Sequence, residues 1–213
     1  MRTIVKSEEP ASLAQHRLTP HASYGNLSKE NSDELRTALV SEQRGLCCYC
    51  LRHIQPQGDV MKIEHWHSRS RYSAEQLVYS NLLGACLGNK GQRLQLQHCD
   101  ARKGRRDLSR NPADSMPRIE DMVRFAGDGR ISSDNPSFDS ELNEILNLNE
   151  AFLKNSRKAV LDAFRESLVK RGHLPRATLS RWVEDWNGEL HAGELREFCQ
   201  IVVYWLRKKL VRA

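Results

Sequence analysis

The chain reads as an α+β protein, mostly helical, in which a small metal-stapled core precedes a helical C-terminal region. Three features of its 213 residues carry that expectation. Cys47 and Cys50, then Cys86 and Cys99, fall as two separated halves of one metal site. Strand-like text with turn signals lies between the halves. Beyond Ser137 the pattern turns helical, with Leu142, Ile145 and Leu146 followed by Phe152, Leu153, Val160, Leu161, Phe164 and Leu168 at helical spacing. The expected organisation is an N-terminal arm over 1–30, the metal-bearing core over 31–115 and the helical region over 116–213.

Element by element, the first 28 residues mix Pro10, Pro20, Gly25 and serines, which suits an extended arm. Ser32 can cap a helix whose first turn holds Asp33 and Glu34. Leu35, Ala38, Leu39 and Glu42 continue it until Gly45. From Cys47 to about Trp66 the text suits a metal knuckle and then a hairpin turning at Pro56-Gln57-Gly58. Ser73 can start a short helix through Leu83, with a polar loop from Gly84 to Gln97. A second short helix begins near Asp100 and stops before Asn111-Pro112. A small hairpin is expected over Val123–Ile131, around Gly127-Asp128-Gly129. Pro175 precedes a helix carrying Trp182 and Trp186. The last helix is expected from about Ala192, with Leu195, Phe198, Cys199, Val202, Val203 and Leu206 at core spacing.

The formal charge of +6 favours an anionic partner, nucleic acid first, although so mild an excess is weak on its own. No run of eighteen apolar residues is present, which excludes a spanning helix and any membrane role built on one. The N-terminus lacks the apolar stretch of a secretory signal, so a cytoplasmic location is expected. Cysteines there more often bind metal than pair as disulfides. Six are present, and Cys48 and Cys199 are left over as inert buried residues.

Cys47-Cys48-Tyr49-Cys50 lets two thiolates converge, and Cys86 and Cys99 complete the four that structural zinc prefers. Two alternatives stay open at this stage. His98 or His53 can replace Cys86, or His65 and His67 can form a finger with two cysteines, which leaves Cys86 and Cys99 idle. On a strand, His65 and His67 would share a face and Glu64 would point away. A second, hard site is interleaved with the soft one. Glu64 and Asp100 supply oxygen ligands suited to Mg²⁺ or Mn²⁺. His65 can take a proton from a water attacking a phosphodiester. Asn81 would brace the loop over His65 through backbone groups. Lys103, one turn after Asp100, would meet a phosphate, and Arg102, Arg105 and Arg106 with Arg69 and Arg71 would extend a basic surface.

Taken together, Cys47-x-x-Cys50, Ile63-Glu64-His65, Asn81-Leu82, Cys86 and His98-Cys99-Asp100-x-x-Lys103-Gly104 resemble the HNH endonucleases of the ββα-metal fold. More narrowly they resemble the PtuB group, the nucleases of Septu and retron-linked anti-phage defence. Arg2 with Lys6, Glu42-Gln43 and Leu146-Asn147-Leu148-Asn149 add to the likeness. The resemblance implies His65 as general base, Asn81 as the middle residue of the motif, Glu64 and Asp100 as ligands of a catalytic ion, and the four cysteines as ligands of structural zinc. It also implies hydrolysis of DNA, a PtuA-type ATPase partner, and docking through the helical C-terminal region. One departure stands out: Trp66-His67-Ser68-Arg69 replaces the family's aromatic-x-Pro-Lys. Two other readings are an effector that cuts RNA, for instance a tRNA, and a non-catalytic zinc module that only binds.

Overall fold

The computed structural model describes residues 1–169 and 175–212; the sequence's His173 lies outside them. The chain is α+β and mostly helical. In order it forms α1 (Ala11–Arg17), α2 (Lys29–Glu42), β1 (Met61–His65), β2 (Leu82–Cys86), α3 (Cys99–Lys103), β3 (Arg124–Phe125) and β4 (Ile131–Ser132). These are followed by α4 (Pro136–Ser140), α5 (Ala151–Val169), α6 (Arg176–Asn187) and α7 (Cys199–Arg212). Two small antiparallel sheets result, β1 with β2 and β3 with β4. Among the described residues no helix is long and apolar enough to cross a membrane.

The first thirty residues are not an extended arm. Met1 and Ile4 are buried in the main core, and the Ile4 amide donates to the Pro112 carbonyl at 2.8 Å. Leu13 of α1 packs with Leu35 and Leu39 of α2. The cap of α2 is Ser28 rather than Ser32: its hydroxyl accepts from the Asn31 amide at 3.1 Å, and Glu30 occupies the first turn.

The hairpin expected to turn at Pro56-Gln57-Gly58 does not form. Instead β1 pairs with β2 across a connection from Trp66 to Asn81, with Met61 opposite Cys86 and His65 opposite Leu82. The segment from Ser73 to Leu83, expected as a helix, holds short 3-10 turns and then the start of β2. Burial explains the difference. Every residue of β2 is buried, so its apolar run is filled by packing on both faces rather than by a helical stripe. Gln43, itself buried, fixes this strand to the end of α2. Its side chain accepts from the Gly84 amide (2.6 Å) and donates to the Gly84 and Leu46 carbonyls (2.8 and 2.7 Å). A Cβ at residue 84 would lie 2.9 Å from Ile54 Cδ1 and 3.1 Å from the Gln43 amide, so glycine is needed for that approach.

The last helix starts at Cys199, seven residues later than expected from Ala192. The preceding segment spends its backbone groups on the knuckle instead. Arg44 donates to the carbonyls of Gly188, His191 and Gly193 at 2.6–2.7 Å, the Leu195 amide donates to Arg44 O, and the Phe198 amide donates to Leu51 O. Trp182 and Trp186 of α6 meet Phe164 of α5 edge to face, which makes them core aromatics.

Candidate active site and metal centre

The knuckle is built first, by local backbone bonds. Cys47 N donates to Arg52 O (2.8 Å), Leu51 N donates to Cys47 O (3.1 Å), and Leu51 takes a positive φ of 66° to close the turn. Cys86 arrives at the end of β2. The chain then loops out and returns to Cys99 through Gly88, whose carbonyl accepts from the His98 amide at 3.0 Å. Gly88 has φ +60°, and a Cβ there would stand 2.1 Å from the His98 carbonyl oxygen. The Cys99 amide donates to Leu146 O at 2.9 Å, which ties the returning chain to the helical half.

These contacts bring Cys47, Cys50, Cys86 and Cys99 together, all buried, with their sulfurs within 4.8 Å of one another. The Cys47–Cys99 and Cys50–Cys86 sulfur distances are 4.0 and 3.7 Å. A tetrahedral zinc with Zn–S near 2.3 Å places its sulfurs about 3.8 Å apart, so this donor set fits zinc. Burial pushes the Cys50 and Cys99 thiols up, while hydrogen bonds from its neighbours outweigh burial and hold Cys47 down. Four buried thiolates thus need a cation to form together. His53 is not a ligand: its Nε2 bonds Leu195 O at 2.7 Å. His98 is buried beside the cluster, with Nδ1 3.2 Å from the Cys99 sulfur. Arg157 is buried without a carboxylate among the described residues and donates to Gly129 O and Leu148 O, both at 2.6 Å. Burial lowers it to about 10, while Cys50 and Cys99 act in the opposite sense. It adds positive charge on the side of the cluster.

A cleft of about 690 Å³ opens next to the cluster, at the end of β1. Glu64, His65 and Asp100 all line it, although they come from β1 and the first turn of α3. Glu64 and His65 keep separate partners, as strand alternation suggests, yet both line the cleft. The strand ends at His65, and the cleft wraps that end. Glu64 is buried, and its Oε1 takes both the Tyr49 hydroxyl, donating at 2.9 Å, and the Lys103 ammonium at 2.8 Å. Burial first, then the Asp100 carboxylate, pushes the Glu64 carboxyl up to about 8. Burial also opposes ionisation of Asp100, but hydrogen bonds from Glu64 and Lys62 outweigh it and hold Asp100 below its usual value.

His65 is fixed by Gln76 O, 3.0 Å from its Nε2, and by the Tyr24 ring edge to face at 4.6 Å. A carbonyl oxygen only accepts, so Nε2 carries the proton and Nδ1 keeps its lone pair. Burial pushes the imidazole down to about 4. Since the folded value lies below the unfolded one, near 6.5, the folded state binds fewer protons. The contribution of His65 to stability therefore rises as pH climbs from about 4 to 6.5 and is constant above. At pH 6 nitrogen NMR is expected to show His65 as a neutral ring protonated at Nε2; an imidazolium signal at that pH would contradict this environment.

Asn81 lies behind the cleft wall and bonds backbone groups of the connection. Its Oδ1 accepts from His67 N (2.7 Å), and its Nδ2 donates to His67 O and Glu75 O (3.1 and 3.2 Å). His67 is stacked between Trp66 and Tyr72, with Nδ1 2.7 Å from Glu75, and does not line the cleft.

The expected basic surface divides. Arg69 and Arg105 line the cleft, the former over the Tyr24 ring. Lys103 does not present itself to solvent: its side chain is fully buried, paired with Glu64 and donating to His65 O at 3.0 Å. A phosphate contact is corrected to an internal brace, because an unpaired Glu64 at that depth would be costly. Arg106 donates to the carbonyls of Lys103, Glu144 and Ile145, Arg102 to Leu94 O, and Arg71 pairs with Asp107 at 2.8 Å. Sequence reasoning missed Lys62, Lys90, Tyr24 and Arg36 in the cleft. Lys62, which ion-pairs Asp100, stands two residues before Glu64 on β1; that spacing was a usable signal. No family model matches the chain, and no curated protein matches it.

Proposed function

We propose that the chain is a metal-dependent HNH-type endonuclease whose zinc cluster is structural. The reading is carried by one observation: Glu64, His65 and Asp100 line a single cleft whose imidazole is held in one tautomer by Gln76 O. In this reading Glu64 and Asp100 hold a divalent ion such as Mg²⁺ or Mn²⁺, which supplies Lewis-acid stabilisation of charge on the phosphate. His65 takes a proton from the attacking water at Nδ1 while Gln76 O orients the ring. Lys103 and Tyr49 hold the Glu64 carboxylate in place. Asn81 fixes the connection after His65. Lys62, Arg69, Lys90 and Arg105 give the cleft the charge to receive a phosphodiester backbone. The four-cysteine cluster joins the β1–β2 sheet to α3, so that Asp100 meets Glu64.

DNA is the proposed substrate, cut as the effector of an anti-phage system together with a PtuA-type ATPase. This part rests on the sequence resemblance, as does docking through the helical region. Purified chain, with and without that ATPase, should cleave DNA in Mg²⁺ or Mn²⁺. Cleavage of RNA with DNA left intact would transfer the activity to RNA. Binding without cleavage in any divalent ion would favour the zinc module that only binds.

A further inference from the structure

A second charged surface lies on the C-terminal helix, sharing no lining residue with the cleft. Two grooves of about 460 and 450 Å³ flank α7, and both are lined by Phe125, Tyr204, Lys208 and Arg212. They share an aromatic pair, Phe125 meeting Tyr204 at 5.8 Å, and Leu161, Ile201 and Trp205 line the second groove as well. The carboxylates nearby are already engaged. Glu120 accepts from Thr3 and pairs with Arg118, Asp121 pairs with Arg207, and Asp162 pairs with Lys158 and Arg165. Lys208, Lys209 and Arg212 have no carboxylate partner among the described residues. The two lysines rest their ammonium groups over Tyr204 and Trp205, at 5.4 and 5.2 Å from the ring centroids.

Unneutralised cations alternating with half-buried aromatic rings, along an open groove, are the chemistry that takes a phosphate backbone with bases against ring faces. We propose that this face of α7 is a single-stranded nucleic-acid-binding surface, separate from the cleft. Phosphates take the place of the rings as partners of Lys208 and Lys209, and Arg212 extends the track by one helical turn. The tip of the β3–β4 hairpin leaves the way clear, since Gly127 has no side chain to project toward Arg165. An acidic protein segment would match the charge but would bring no bases to the half-buried rings. That partner class is therefore an outcome to be tested. The inference does not depend on the nuclease reading.

The test uses the full chain carrying His65→Ala, so that bound strands stay whole, and a labelled single-stranded oligothymidylate followed by anisotropy. Lys208→Ala/Lys209→Ala/Arg212→Ala should weaken binding ~100-fold at 0.1 M salt and reduce the logarithmic salt slope by about 2, from the loss of three phosphate contacts. Lys208→Arg/Lys209→Arg/Arg212→Lys should retain binding, which separates charge from folding. Unchanged affinity and slope in the alanine variant would overturn the proposal. So would preferential binding of poly-glutamate through the same three cations, which would assign the face to an acidic protein. Cleavage by the wild-type chain is read separately, so failure of one reading leaves the other standing.

Discussion

Removing the metal from the four-cysteine cluster is expected to unfold the region that carries the cleft, not merely to silence it. The four sulfurs sit inside the main core cluster with Met1, Ile4, Ile54, Met61, Leu83, Leu142, Leu146 and Leu153. They join α2, β2, α3 and the helical half at one point. Structural zinc sites contribute on the order of 10 kcal/mol of apparent folding free energy at neutral pH, comparable with the whole stability of a domain. Chelation, or Cys47→Ser, should therefore abolish cooperative thermal unfolding and expose the core to hydrogen exchange. Zinc content measured beside circular dichroism checks this: loss of stoichiometric zinc with an unchanged melting curve would contradict the structural role.

His65→Ala is expected to do the opposite, removing chemistry and sparing the fold. Among the described residues its side chain bonds Gln76 O alone and packs edge to face on the half-buried Tyr24. A positioned general base contributes roughly 10²–10⁴-fold, so cleavage should fall by that factor while zinc content stays intact. Asp100→Ala should fall at least as far, by removing one of the two proposed oxygen ligands. Its expected signature differs, since the loss should also appear as weakened binding of Mn²⁺.

The α+β class, the helical C-terminal half, the small hairpin near Gly127 and the four-cysteine set were legible in the sequence, because each rests on local spacing or on residue type. The partner of β1 was not. Leu82 to Cys86 is a short apolar run that suits a helix end or a buried strand equally well, and only the distant strand Met61–His65 decides between them. The fate of Lys103 was also hidden. Its place in a basic run suggested solvent, whereas the depth of Glu64 draws it inward as the compensating charge. Tyr49, read only as a spacer between cysteines, holds Glu64, and Tyr24 reaches His65 from residues read as an arm. Such contacts depend on tertiary approach, which no periodicity records.

The central claim is a division of labour between a zinc clasp and a separate hydrolytic cleft. The most direct measurement is nucleic-acid cleavage by wild-type and His65→Ala chains at equal zinc content, in Mg²⁺ or Mn²⁺ and with the proposed PtuA-type ATPase present. The expected result is cleavage by the wild type and its loss in His65→Ala, with both chains folded and zinc-loaded. Full cleavage by a folded, zinc-loaded His65→Ala chain would contradict the claim.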